Sequence, residues 1–470
     1  MTKHTHYLFF ILLLSVLTAC KVSKDLARPE APLPARFNNT LATQAANIAD
    51  IKWKGFFADP SLQKLIGDAI TNNYDMQLAV KNIEGARLLL NQTKWLYLPD
   101  AGLQVTATSN RPSDNSLNGL STKTFLATTH VEDYSANISL SWEADIWGKI
   151  KNQKAAALAA YLQTEEARKW VQTNIVANVA EGFYNLLMLD AQSAIAKRNI
   201  ALNDSTLRII QLQYNAGQVT ALAVQQAEAQ KLTAAALLPE LEREIALQEN
   251  ALRILAGALP DRVQRNTLLN QVIIPDSLSA GIPSELLSKR PDVKSRELDL
   301  TRANAQVGIS KANMYPAVRI TAGGGLNSFK ATNWFNVPAS LFGVVAGGIV
   351  QPLFQKKQLK TAYEIAKVDR EKTVILFRQS VLNAVGEVSD ALVRIEKLKT
   401  EQSIATDRVQ TLKKAITNAN MLFTTGMANY LEVITAQNNV LQSELQLAAI
   451  TREQLSAKVE LYRSLGGGWK

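Results

Sequence analysis

Two segments of the chain, Lys149 to Asn215 and Leu359 to Thr425, run without a single proline and with one interior glycine each, Gly182 and Gly386. Apolar residues recur at three and four in both: Val171, Ile175, Val179, Phe183 and Leu186 in the first, Val374, Phe377, Val381, Val385, Val388, Leu392 and Ile395 in the second. That period predicts amphipathic helices, and at 1.5 Å rise per residue each reaches about 100 Å. A helix of that length belongs to a coiled-coil, membrane or repeat architecture. Lysine, glutamate and glutamine are spread throughout, so neither segment reads as a membrane span; both read as coiled-coil-like.

Each long helix ends at a similar mark. "YNAGQVTALAVQQAEAQ" starts at Tyr214 and "FTTGMANYLEVITAQNN" at Phe423, each with an aromatic three residues before a glycine. Glycine suits the left-handed cap that stops a helix. A second helical pattern returns after each, over about 219–256 and 428–465. Gly217 and Gly426 are therefore expected at the turns of two antiparallel helical hairpins. Before each hairpin lie short alternating segments: "AGLQVTATS" and "YSANISLSWEADIW" around one polar loop, "AVRITAGGGLNS" and "SLFGVVAGGIVQPLF" around another. Alternation predicts strands with two different faces, at a length that crosses an outer membrane when tilted. Trp95, Tyr97, Trp142, Trp147, Tyr315, Trp334, Phe335 and Phe354 gather near their ends, as an interfacial aromatic girdle would.

The two halves repeat. "ARLLLNQTKWLYLPDAGLQVTATS" parallels "ANAQVGISKANMYPAVRITAGGG", "VAEGFYNLL" parallels "VGEVSDALV", and "ALRILAG" parallels "LYRSLGG". Each half reads helix, strand hairpin, very long helix, turn, returning helix. Four strands cannot close a barrel, and open sheet edges are not tolerated in lipid. Self-association is required; two chains would nominally reach eight strands and three chains twelve.

The N-terminus "MTKHTHYLFFILLLSVLTAC" has a basic start, an apolar run too short to span a bilayer, and small residues before Cys20, the only cysteine. It resembles a bacterial signal peptide ending in a lipobox, which implies an acylated Cys20 and a mature chain anchored to membrane lipid. Lys21 after it, rather than aspartate, favours the outer membrane by resemblance to enterobacterial sorting rules. With no second cysteine, no internal disulfide forms. Residues 21–50, with Pro29, Pro32 and Pro34, read as an extended tether, and Asp59-Pro60 as a cap followed by the first helical turn.

The remaining composition excludes several functions. Net charge is +10, but the basic residues are scattered and no nucleic-acid partner is expected. Of three histidines, His4 and His6 lie in the signal segment and only His130 remains. No nucleophile–histidine arrangement, Walker loop or His/Cys metal cluster is visible, so no catalytic residue, metal or cofactor beyond the lipid on Cys20 is expected. A passive export conduit is the leading reading; a structural or adhesive coiled-coil lipoprotein is the alternative, which would not need four membrane-length strands.

Nearly the whole chain resembles the TolC-type outer-membrane factors, in the lipoprotein branch that serves resistance-nodulation-division efflux systems. "WKGFFADPSLQKLIGDAITNNYDMQLAVKNIEGAR" from Trp53 and "IPSELLSKRPDVKSRELDLTRANAQVGISKANMYP" from Ile282 carry the resemblance, together with the two glycine tips. It implies a mixed α/β membrane protein: a homotrimer with a 12-stranded barrel, four strands per chain, continued by a long periplasmic α-helical barrel with an equatorial belt. The expected organisation is 1–19 signal peptide, 20–58 lipidated tether, 59–257 first repeat (strand hairpin 101–145, tip at 217), 258–283 equatorial linker, 284–465 second repeat (strand hairpin 317–353, tip at 426) and 466–470 tail. The resemblance also implies a periplasmic adaptor and an inner-membrane pump as partners. The adaptor would meet Gly217, Gln218, Val219 and Thr220 at one tip and Gly426, Met427 and Ala428 at the other. Where the family often has a gating aspartate, this chain has Thr435. Glu432, one turn earlier, is a candidate substitute that would form an anionic ring repelling itself and attracting cations; a solvated helix face is the alternative. Phe423 is a further gate candidate, as an apolar constriction, with a packed core aromatic as the alternative reading.

Overall fold

The computed structural model describes residues 33–34, 37, 48–274, 281 and 283–470. Cys20, the signal segment and most of the expected tether lie outside the described residues. The described residues fall into two compact units.

One unit holds Glu84–Leu162 and Leu298–Ile375. It is organised around a four-stranded antiparallel sheet in the order β1-β2-β3-β4, formed by β1 (Asp100–Asn110), β2 (Val131–Glu143), β3 (Ala317–Ser328) and β4 (Leu341–Val350). Register follows from the alternation. Leu103 faces Ile138 and Gln104 faces Asn137 across the first pair, while Ile138 faces Gly324 and Ser141 faces Thr321 across the second. A slip of one residue would invert both faces, so the pattern fixes the pairing. The apolar face is open in the single chain: Leu103 is 74% exposed, Val345 79% and Ile349 72%. The polar loop expected between β1 and β2 contains a short helix, Leu117–Leu126, whose first turn is capped by the Ser116 hydroxyl accepting from Gly119 N–H. At the other end of the sheet Trp147 stacks on Tyr315 at 4.8 Å and donates its indole N–H to the Pro316 carbonyl at 2.6 Å.

The other unit holds Gln163–Glu297 and Leu376–Lys470, with the described part of 30–83. Asp59 caps α1 (Pro60–Asn72), its Oδ1 accepting from Leu62 N–H at 2.9 Å, as the Asp-Pro pair predicts. The chain breaks once at Asn73 and continues as α2 (Tyr74–Gln92). After the intervening helix α3 (Leu117–Leu126) come α4 (Lys149–Asn215) and α5 (Ala221–Leu255), then α6 (Pro291–Ala312), α7 (Gln358–Thr424) and α8 (Tyr430–Ser464). α4 and α7 each have 67 residues, and α5 and α8 each have 35. α5 carries Pro239 in its interior. The residue is exposed, so the carbonyl it frees can be hydrated.

The core of this unit joins α4, α7 and α8 to the N-terminal segment. Phe183, Tyr184, Leu186, Phe377, Val381 and Val388 are buried there, and Phe56 stacks on Tyr462 at 4.2 Å. Of the periodic apolar residues of the long helices, Ile175, Val179, Phe183, Leu186, Phe377, Val381 and Val388 are buried and the others are half-buried, so this link from sequence to packing is direct.

Two joints of the same design close the unit. α5 and α8 both end in a glycine with positive φ, Gly257 at 67° and Gly466 at 91°, in six-to-one and five-to-two hydrogen-bonded turns. Beside Gly257, Asn73 donates its amide to the Leu255 carbonyl at 2.9 Å. Beside Gly466, Arg290 donates to the Ser464 carbonyl at 2.9 Å. A Cβ on Gly257 would sit 2.3 Å from the Asn72 carbonyl oxygen, and one on Gly466 2.5 Å from that of Lys289. These glycines are required by space as well as by φ.

Candidate functional site

The two hairpin tips come together. Leu207, Ile210, Ala223 and Ala227 of the first hairpin pack with Phe423 and Val433 of the second in one small apolar core, and Val219, Ala428 and Tyr430 border it. Tyr430 donates its hydroxyl to Gln226 Oε1 at 2.6 Å. Phe423 is 5% exposed and packs in this small core between the tips.

Both turns have the same geometry. Gly217 has φ 72° and Gly426 has φ 78°. Gln218 N–H donates to the Gln213 carbonyl at 2.9 Å, and Met427 N–H to the Leu422 carbonyl at 2.8 Å, the six-to-one bond of a Schellman cap. Neither glycine has an atom within 4 Å of where a Cβ would stand. Left-handed backbone fixes glycine here, while the space outside it is open. Gln218, Thr220 and Met427 are exposed, Met427 by 73%. An exposed methionine between two ordered helices is an adaptable apolar contact.

The sequence reading missed one role at the second tip. Glu432 and Asn429 form a capping box: Asn429 Oδ1 accepts from Glu432 N–H at 3.1 Å, and Glu432 Oε2 accepts from Asn429 N–H at 3.1 Å. The spacing Asn-x-x-Glu was a legible signal for it. Glu432 and Thr435 are both exposed.

A polar cleft of about 400 Å³ lies between α4 and α7–α8, with Glu181, Arg394, Arg452, Ser456, Glu460 and Arg463 in its wall. Burial pushes the Glu181 carboxyl above the usual carboxylate range and Glu460 adds repulsion, with Arg463, Arg452 and Arg394 offsetting part of both. The folded state therefore holds this proton to higher pH than the unfolded chain, and stability falls as pH rises from the ordinary value of 4.5 through the raised one. Glu181→Gln removes that loss. Its melting temperature should exceed the parent's at pH 7, with the gap closing below pH 4, as thermal scans at the two pH values will read.

Among the described residues no group of three or more His, Cys, Asp and Glu side chains is placed to hold a metal ion. None of the described helices is long and apolar enough to cross a membrane. The sheet is the segment with membrane dimensions. On one face it presents Leu103, Val105, Ile138, Leu140 and Ile320, and on the other Gln104, Thr106, Asn137, Ser139 and Thr321. One face of the sheet is thus apolar and the other polar.

A family model described as outer membrane efflux protein matches residues 65–258 and again 282–467. The chain is 28% identical over 457 residues to the cation efflux system protein CusC of Escherichia coli, across 97% of each. It is 29% identical over 477 residues to the toluene efflux pump outer membrane protein TtgF of Pseudomonas putida, across 99% of this chain and 97% of that one. A crystal structure of CusC superposes with a TM-score of 0.85 at 26% identity, covering 96% of this chain and 100% of that one.

Proposed function

Since the chain belongs to the outer membrane efflux protein family, we infer how its geometry performs export. It is an outer-membrane channel of a resistance-nodulation-division efflux system, extending into the periplasm. The observation that carries the mechanism is the two-faced sheet whose outer edges, on β1 and β4, have no partner strand among the described residues of the chain. Three chains join β4 of one to β1 of the next, close twelve strands into a barrel, and leave no edge in lipid. The polar faces line a water-filled pore. The long helices continue it as a periplasmic tube, each half of the chain, 59–257 and 284–465, supplying one repeat, with 258–283 as equatorial linker. Cargo moves down its gradient, with no catalytic residue involved.

The tips meet a periplasmic adaptor at Gly217, Gln218, Val219, Thr220, Gly426, Met427 and Ala428, and an inner-membrane pump drives the assembly. Glu432, with Thr435 one turn on, forms the narrow ring of the entrance. Relatives named for cations and for toluene lie at nearly equal identity, 28% and 29%. That supports the pump as the main selector among such cargo classes.

Cys20 carries the covalent lipid that anchors the mature N-terminus. Cys20→Ser abolishes incorporation of labelled palmitate and leaves an unprocessed chain, as labelling and mass spectrometry of the mature protein will read. The assembly itself is tested by light scattering of the purified, detergent-corrected protein: a mass of three chains supports the barrel, and a stable monomer or dimer contradicts it.

A further inference from the structure

One strand breaks the rule the other three obey. Residues paired across a ladder share a face. The polar face of β3 holds Arg319, Thr321, Gly323 and Gly325, and these pair with Gly348, Ala346, Val344 and Phe342 of β4. Ala317 on the same face pairs with Val350. β4 thus adds no polar side chain to that face. A register slip is not the reason, because its other set, Leu341, Gly343, Val345, Gly347 and Ile349, is apolar too. Val344 is 57% exposed, Val350 55% and Phe342 40%. Opposite Val344 and Phe342 the neighbouring strand has Gly323 and Gly325, so no side chain screens them on that side.

Covering a strand glycine with an aromatic is a known packing device, and Phe342 opposite Gly325 fits it. That accounts for Phe342 and leaves Val344 and Val350 unexplained on a face otherwise lined by polar and charged residues, among them Gln104, Thr106, Asn137, Asp133, Glu143 and Arg319. Exposed apolar surface on a polar background marks a binding surface.

We propose that β4 forms an apolar track along the pore, one per chain, on which the hydrocarbon part of an amphiphilic organic cargo rides while its polar part faces the neighbouring polar strands. The proposal rests on the reading above that the polar face lines the pore. The track is uncharged, so it recognises alkyl or aryl surface and not net charge, and it makes Val344 and Val350 specificity-determining positions in a wall that is otherwise indifferent.

The test is current block in a planar bilayer by tetraalkylammonium ions of increasing chain length, from methyl to hexyl, added on the side of the β1–β2 and β3–β4 connections. The purified full-length channel should be blocked at least tenfold more strongly by tetrahexyl- than by tetraethylammonium. The double variant Val344→Thr, Val350→Thr keeps side-chain shape and strand propensity. It should lose at least threefold of that difference while its conductance in potassium chloride stays unchanged. Val345→Thr, on the opposite face of the same strand, should leave the block intact. Single Val344→Thr substitutes for the double variant if the latter does not assemble. Block independent of chain length, or dependence fully retained in the threonine variants, overturns the track alone. A purified trimer that carries no current overturns the pore reading and the track with it.

Discussion

Arg290→Met weakens the folded protein by about 3 kcal/mol per chain. Arg290 is 1% exposed and is the largest of the fully buried side chains among the described residues. It forks onto Asp292 at 2.7 and 3.0 Å, reaches Glu387 at 2.9 Å and donates to the Ser464 carbonyl at 2.9 Å. Trp170 lies beneath it, 5.8 Å from ring centroid to guanidinium carbon. Burial opposes its charge, and the Asp292 and Glu387 carboxylates outweigh that and hold it protonated. Methionine fills the volume but leaves the Ser464 carbonyl and the Asp292 carboxylate without this donor, while Glu387 keeps only Arg463 at 3.8 Å. Asp292 and Glu387 are 28% and 36% exposed and can partly rehydrate, which sets the estimate at the low end for a broken buried pair. Asn73→Ala at the sister joint removes the amide's bond to the Leu255 carbonyl and the Oδ1 cap that accepts from the Asp75 and Met76 N–H groups of α2, and costs about 2 kcal/mol. Urea unfolding of the purified variants should therefore order them parent, Asn73→Ala, Arg290→Met. Lysine at 290 should fall near methionine, since an ammonium cannot fork onto a carboxylate and reach the carbonyl as well. An Arg290→Met protein as stable as the parent would show that the clamp has no energetic role.

Gly217→Trp and Gly426→Trp should each reduce efflux at least tenfold while the protein still assembles. Both positions have positive φ, where an L side chain costs of order 1–2 kcal/mol, and neither has an atom close enough for the indole to strike within the chain. That cost is small against a unit packed as this one is. The effect therefore falls on whatever meets the tips from outside. Drug accumulation and assembly state must be measured on the same variants. Normal efflux from an assembled Gly426→Trp channel would remove the tips as a docking surface.

The elements legible in the sequence were those with long, unbroken periodicity. The first long helix has the expected limits, Lys149 to Asn215, and the second runs one residue earlier than expected, Gln358–Thr424. The strands were found by alternation, although β2 begins at Val131 where Tyr134 was expected, because Val-Glu-Asp interrupts the two-residue period. The helix Leu117–Leu126 was missed because Ser, Thr, Asn and Gly dilute its apolar spacing. At the tips, glycine and the aromatic before it disclosed the turns, and only the fold showed that Phe423 packs between the hairpins. Nothing local marks Arg290 as buried: its partners Glu387 and Ser464 lie far along the chain. The apolar second face of β4 was in plain view in "LFGVVAGGIV", but its meaning depends on the register of the neighbouring strand.

The central claim, that this chain is an export conduit, is tested most directly by intracellular accumulation in a strain lacking the gene and in the same strain supplied with the wild-type or Gly426→Trp chain. A panel of a fluorescent dye, several antibiotics, a bile salt and copper or zinc ions covers the cargo classes. The account predicts higher accumulation of a subset in the deletion strain, restored to normal by the wild-type chain and not by Gly426→Trp. Equal accumulation of every compound in all strains, in a background cleared of related channels, would contradict it.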